Sequence, residues 1–180
     1  EYKKLSSFTR ESFDFRSTIQ GPKVNKIYHL DNSSDKIKHL LEPRLTFNYV
    51  PDIDEKDRLK IKAFDGIDSI GAPTNSITYA FGQRLLKKVK TGANQFKTKQ
   101  ILRFNISQTY NIREATMQKQ PGDGRLPFSD LFFDFDSRPM ESIILNTDAS
   151  YNFNTDLINT FTLEAGVKPV KNLWVIMERR

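Results

Sequence analysis

The stretch Leu41-Glu42-Pro43-Arg44-Leu45-Thr46-Phe47-Asn48-Tyr49 alternates apolar and polar residues without a break. The odd positions are apolar, and the even ones are Glu42, Arg44, Thr46 and Asn48. A period of two puts successive side chains on opposite faces of a strand. The same period recurs outward along the chain. Ile77, Tyr79, Phe81 and Leu85 oppose Ser76, Thr78, Ala80, Gly82 and Arg84. Leu102, Phe104, Ile106 and Tyr110 oppose Arg103, Asn105, Ser107 and Thr109. Leu131, Phe133 and Phe135 oppose Asp134 and Asp136, with Phe132 off the pattern. Ile143, Leu145, Ala149, Tyr151 and Phe153 oppose Asn146, Asp148, Ser150 and Asn152. Phe161, Leu163, Ala165 and Val167 oppose Thr160, Thr162, Glu164 and Lys168. Phe13 and Phe15 alternate with Asp14 and Arg16, residues 23–30 suit a short strand, and the run from Leu173 has no clear phase.

No segment carries the helical period, so the chain reads as all-β, an antiparallel up-and-down meander of about eight strands. The strands are expected to be about ten to thirteen residues long, against a usual mode of roughly five or six. A tilted strand that spans a bilayer needs about 9–11. The connections alternate in length. Long loops are expected at 51–74 and 111–129, and shorter turns at 87–97, 137–140 and 168–172. One crossing per strand puts both long loops at one end, the arrangement of membrane barrels, though soluble meanders also show it.

Composition narrows the chemistry. The 180 residues include no cysteine and two histidines, His29 and His39. Disulfides, thiolate metal sites and cysteine nucleophiles are excluded. Lys and Arg number 28 against 22 acids, a net charge of +6. No apolar run approaches the ~20 residues of a membrane helix. A polar mean hydropathy suggests a water-soluble chain. A membrane barrel, whose faces average out, gives the same impression. At 12% aromatics the chain is too rich to be disordered. It begins at Glu1 and ends at Glu178-Arg179-Arg180 directly after an apolar run, and is expected to be an internal piece of a longer protein. One domain segment, residues 1–180, is expected. Alternation alone leaves open which face is wet: a soluble sheet buries its apolar face, whereas a membrane barrel turns it to lipid. Long strands, an Asn/Ser/Thr-rich polar face and aromatics near strand ends favour the membrane.

Further motifs follow in order. His39-Leu40-Leu41-Glu42-Pro43-Arg44-Leu45-Thr46-Phe47-Asn48-Tyr49-Val50-Pro51 leads into Asp52-Ile53-Asp54-Glu55 and Phe64-Asp65-Gly66-Ile67-Asp68. Asn75-Ser76-Ile77-Thr78-Tyr79-Ala80-Phe81, Gln108-Thr109-Tyr110-Asn111, Ser129-Asp130-Leu131 and Arg138-Pro139 come after. This ordered set, over roughly residues 20–170, resembles the LPS-assembly outer-membrane protein family LptD, also called OstA or Imp. It departs from the family at Ala80, where Gly is commoner, and at Asn111, where Asp is. The resemblance implies part of a large barrel in the outer membrane of a Gram-negative bacterium. Such a barrel takes lipopolysaccharide (LPS) delivered across the periplasm and inserts it into the outer leaflet. It implies as partners LPS, membrane lipid, an LptE-like lipoprotein in the lumen, and a periplasmic Lpt bridge that docks on an N-terminal domain outside this chain. It implies no cofactor and no chemistry of the chain's own, so no enzyme. Family cysteines that tie domain to barrel have no counterpart here.

The candidate site is the polar face. Glu42, Arg44, Asn48, Arg84, Arg103 and Asn105 are expected to face the lumen and meet the partner or the passing sugars and phosphates. Antiparallel pairing about 87–97 would set Arg84 nearly opposite Arg103, and Glu42, Asp134 or a transported phosphate would supply the counter-charge. The basic run Arg84, Lys87, Lys88, Lys90, Lys97, Lys99, Arg103 fits an anion, though its tip lysines suit a solvated hairpin better. Nucleic acid needs aromatics on the cationic face, and here they lie opposite. Asp52, Asp54, Asp65 and Asp68 form a weak Ca²⁺ candidate without EF-hand spacing; an acidic surface loop reads more simply. Gly66-Ile67-Asp68-Ser69-Ile70-Gly71 is not a nucleophile elbow. Pro43 inside a strand should mark an edge or a bulge. The rival readings are a self-contained eight-strand outer-membrane enzyme, a hydrolase or acyltransferase with residues 5–15 paired to 172–180, and a soluble β-barrel lipid carrier with Phe47, Phe81, Phe104 and Leu145 in a closed core.

Overall fold

The computed structural model of the chain describes residues 13–29, 35–52, 73–92, 95–117, 126–171 and 173–179. They form nine strands: β1 (Phe15–Gln20), β2 (Val24–His29), β3 (Lys36–Val50), β4 (Thr74–Lys90), β5 (Phe96–Asn111), β6 (Leu131–Ser137), β7 (Ile143–Asn152), β8 (Leu157–Val170) and β9 (Leu173–Arg179). A one-turn helix α1 (Ile112–Thr116) follows β5. All strands join one sheet in sequence order, and every pairing is antiparallel. The expected all-β up-and-down meander is what the chain forms.

Nine strands occupy eight positions, because β1 and β2 lie end to end along β3. Gln20 pairs with Arg44 and Val24 with Leu41, so Gly21, Pro22 and Lys23 oppose only Glu42 and Pro43. This is a bulge. Gly21 N donates to Pro43 O at 2.9 Å. In an antiparallel strand a residue's carbonyl and amide face the same neighbour. The donor that Pro43 lacks is therefore missing on the bulged side, and the β3–β4 ladder runs unbroken from Lys36↔Lys88 to Val50↔Thr74.

Strand length departs from expectation in both directions. β3, β4 and β5 have 15, 17 and 16 residues, whereas β6 and β9 have 7. The alternation fades into lysines after Leu85, yet the ladder continues, because backbone pairing does not need an apolar face. The 87–97 turn thus shrinks to 91–95, closed by Thr91 N to Gln95 O at 2.9 Å. The 168–172 turn shrinks likewise, since β8 reaches Val170.

α1 starts within the 111–129 stretch, where no helical period was legible. Five residues are too few to show one. Asn111 caps it, accepting from Glu114 N at 3.2 Å and donating to the Glu114 carboxylate at 3.1 Å. Tyr110 pairs with Phe128 as an isolated bridge, ring centroids 4.8 Å apart, and brings the chain back along β5. The ends of β3 and β5 and the 153–156 turn lie at one end of the sheet. The turns 91–95, 138–142 and 171–172 lie at the other.

Burial is inverted relative to a soluble core. Leu40 is the buried apolar side chain among the described residues, while Thr46, Ser76, Gln108 and Ser150 are buried polar ones. Leu45, Tyr79, Phe81 and Leu145 are exposed, and Phe47 and Phe104 are half-buried. No closed core holds these six. Cross-strand rings cover one another partly, as in Phe15–Phe47 at 6.2 Å and Phe104–Phe133 at 6.5 Å. The sheet is open: β1 and β2 form one edge and β9 the other, and Phe15 pairs with Tyr49. Most of the segment 5–15 lies outside the described residues.

Candidate functional site

The register fixes which side chains share a face. Glu42 lies beside Gly82, then Asn105, Asp134, Asp148 and Thr162 on successive strands. The next row is Leu40, Arg84, Arg103, Asp136, Asn146, Glu164 and Glu178. Another row holds Gln20, Arg44, Ala80 and Ser107, and a fourth holds Arg16, Asn48, Ser76 and Asn111. Glu42, Arg44, Asn48, Arg84, Arg103 and Asn105 therefore share the polar face. Phe132 falls there too, opposite Ser107 and Ser150, which is why it broke the alternation.

Arg84 and Arg103 are direct neighbours, and each turns to an acid on its outer side. Arg84 grips Glu42 with both ends of its fork, Nε to Oε2 at 2.7 Å and Nη2 to Oε1 at 2.6 Å. Lys23 adds a second cation to Glu42 at 3.3 Å. Arg103 pairs with Asp134 at 3.2 Å and with Asp136. Asn105 donates to the other oxygen of Asp134 at 3.2 Å. A bidentate guanidinium is suited to two-oxygen anions, and here the protein's own carboxylates provide them.

The face is divided by sign. Arg16, Lys23, Arg44 and Arg84 lie on the β1–β4 side with Glu42 among them; Asp134, Asp136, Asp148, Glu164 and Glu178 lie on β6–β9. Arg103 stands at the boundary. Asp134 directly faces Asp148 and Glu164 directly faces Glu178, pairings that cost stability unless neighbours offset them. The hydrogen bond from Asn105 to Asp134 does part of this.

A hollow of about 290 Å³ opens on the cationic side, lined by Gln20, Lys23, Glu42, Arg44, Gly82, Arg84 and Asn105. It exists because Gly82 and Ala80 are small; a Cβ on Gly82 would stand 3.0 Å from Asn105 Oδ1. Arg44 and Asn48 make no side-chain hydrogen bond or ion pair among the described residues. Three cations around one carboxylate can take a further anion. Behind it, on the apolar face, a second hollow of about 460 Å³ is lined by Ile19, Pro43, Leu45, Tyr79, Phe81 and Ile106. Sequence reasoning missed Lys23; the signal was Gly21-Pro22, a bulge marker that swings it toward Glu42.

The other candidates separate. Asp52 is tied to Arg113 of α1 at 2.7 Å, whereas Asp54, Asp65 and Asp68, with the 66–71 stretch, lie outside the described residues. Among the described residues no group of three or more His, Asp or Glu is placed to hold a metal ion. Lys87 pairs with Asp35 at 3.1 Å and Lys99 with Glu141. Lys99's hydrogen bond holds the exposed Glu141 carboxyl below its ordinary range. His39 meets Gln83 at 3.2 Å on the apolar face, away from Glu42 on the polar one, so the two do not form an acid–base pair.

An antiparallel meander with an uncovered apolar face, a hydrogen-bonded polar face and two free edges is an open all-β sheet compatible with part of a barrel. The model of the family described as LPS transport system D, LptD, matches residues 6–177. The chain belongs to the LptD family, whose role is LPS transport and assembly in outer-membrane biogenesis rather than catalysis. No curated protein matches it.

Proposed function

We propose that this chain is a stretch of wall of a transmembrane β-barrel in the outer membrane of a Gram-negative bacterium, part of the translocon that inserts LPS into the outer leaflet. The inverted burial carries the reading: large apolar side chains such as Leu45, Tyr79 and Phe81 are exposed on one face while Thr46, Ser76 and Ser150 on the other are buried. Lipid would cover the first face and a water-filled lumen the second. Glu42, Arg44, Asn48, Arg84, Arg103 and Asn105 would line that lumen, where they would meet an LptE-like lipoprotein or the sugars and phosphates in transit. A periplasmic bridge acting through another domain would supply the cargo. The chain positions and passes; it breaks no bond. Neither rival is favoured: the apolar face lies open, and β1 and β9 lie at opposite edges of the sheet.

The test is the double change Arg84→Gln/Arg103→Gln in the protein as the cell makes it. Slower LPS export and greater sensitivity to large antibiotics, with normal barrel assembly, is the expected outcome. Lower barrel yield with unimpaired export per barrel would make the pair structural only.

A further inference from the structure

The sheet has a notch at its short-turn end. β6 stops at Ser137, which pairs with Leu102, while β4 and β5 run on to Lys90 and Phe96. β7 begins at Ile143 opposite Val167, while β8 runs on to Val170. The β4–β5 and β8–β9 hairpins therefore stand proud of the turn at 138–142 and leave a gap of about 610 Å³. Its floor is fixed at both sides: Arg138 N donates to Ile101 O at 2.9 Å and Lys168 N to Ser142 O at 2.8 Å.

Two chemistries meet in this gap. Lys87, Lys99 and Arg138 line it together with Val89, Ile143 and Trp174. Lys87 and Lys99 each hold an acid, Asp35 and Glu141, but Arg138 has no side-chain partner among the described residues. The acids do not cancel the cations. Lys97 and Lys168 add to the field that Glu141 feels, and Lys168 lies over the Trp174 ring at 5.8 Å. Below the floor the apolar face continues through Ile143 and Leu145, both exposed. Phosphate-binding cations at the rim above an apolar strip match the order of a lipid's parts from headgroup to chain, while Trp174, on the face of Ile176 and Glu178, closes the gap from the polar side.

We propose that the notch seats the phosphate headgroup of an anionic glycerophospholipid from the leaflet on the short-turn side, with its acyl chains along Ile143 and Leu145. The proposal rests on the membrane-wall reading above. A free phosphate would satisfy the cations and leave the apolar half of the notch unused, so the lipid is the occupant that uses both halves.

The protein as the cell makes it is folded into vesicles of phosphatidylethanolamine with or without about a quarter phosphatidylglycerol. It is then gently extracted, and the lipids that stay bound are counted by native mass spectrometry. The wild type should keep phosphatidylglycerol in preference. Arg138→Gln/Lys99→Gln should lower that retention roughly five-fold per cation removed. Glu141→Gln, which removes the competing carboxylate, should raise it. Lys90→Gln, outside the notch, should leave it unchanged. Equal loss in Lys90→Gln, or no loss in the double variant, overturns the proposal. So does equal thermal stabilisation by inorganic phosphate in vesicles free of phosphatidylglycerol. Should the double variant fail to fold, the Glu141→Gln and Lys90→Gln results still decide. Failure to enter vesicles sinks the membrane-wall reading itself; entry without preference for phosphatidylglycerol sinks the notch alone.

Discussion

Arg84 and Arg103 show how a residue pair that looks unfavourable in sequence becomes tolerable in a sheet. Two cations directly opposite cost up to about 1 kcal/mol. The cost is offset because each strand has a second neighbour: β3 presents Glu42 to Arg84, and β6 presents Asp134 and Asp136 to Arg103. Removing one acid should therefore hurt more than removing a matched pair. Glu42→Gln leaves Arg84, Lys23 and Arg103 facing one another and should cost about 1 kcal/mol, a modest figure because these groups are part-exposed. Glu42→Gln/Arg84→Gln should recover part of that. The heat resistance of the folded protein reads both, and equal losses would mean that the fork contributes nothing. Glu141 offers a pH test. Lys99 depresses its folded-state pKa, so the pair's stabilisation is present above the ordinary carboxylate range and is lost as pH falls through the lowered value. An NMR titration should find the Glu141 midpoint below that range, and Lys99→Gln should return it.

Among the elements, the β1–β2 break shows what sequence could and could not reveal. Pro43 was legible as a bulge or edge marker, because proline cannot donate to a ladder. That its gap faces residues 21–23 was not legible, since pairing across about twenty residues leaves no local mark. The same limit explains the long strands. Alternation locates the middles of β3, β4 and β5, but the lysine-rich ends of β4 and β5 carry no apolar period and look like turn. The shared face of the six candidate residues was legible because side-chain period is two everywhere; which acid each arginine would choose depended on the register. The bulge is also tightly packed. A Cβ on Gly21 would stand 2.8 Å from Pro43 Cγ, closer than side chains tolerate. Gly21→Val should lower folded yield and cost roughly 1–3 kcal/mol, the range for overpacking. Gly92→Val, in the 91–95 turn with nothing nearer than 3.7 Å, should cost less. Equal effects would show that the bulge yields freely.

For the whole molecule the deciding question is what covers the apolar face, and a depth series of charges answers it. Phe81 lies near the middle of β4 on that face, Val89 lies on the same side toward the short-turn end, and Thr162 lies on the polar face opposite Asp148. If lipid covers the face, an arginine near mid-depth must be dragged from water into hydrocarbon, at about 2–4 kcal/mol. Near the rim the same residue reaches headgroups and costs about 0–1 kcal/mol. On the polar face it meets water and a carboxylate. Phe81→Arg should therefore destabilise strongly, Val89→Arg weakly, and Thr162→Arg hardly at all or favourably, all measured by denaturant unfolding in vesicles. A water-exposed sheet gives a different ranking, because exposed substitutions stay within about 0.5 kcal/mol whatever their depth. A closed soluble core gives a third, in which any arginine among the packed apolar residues is ruinous and depth does not matter. Near-equal costs for Phe81→Arg and Val89→Arg would remove the membrane from the account. A steep fall between them, with Thr162→Arg tolerated, leaves a bilayer on one side of this sheet and water on the other.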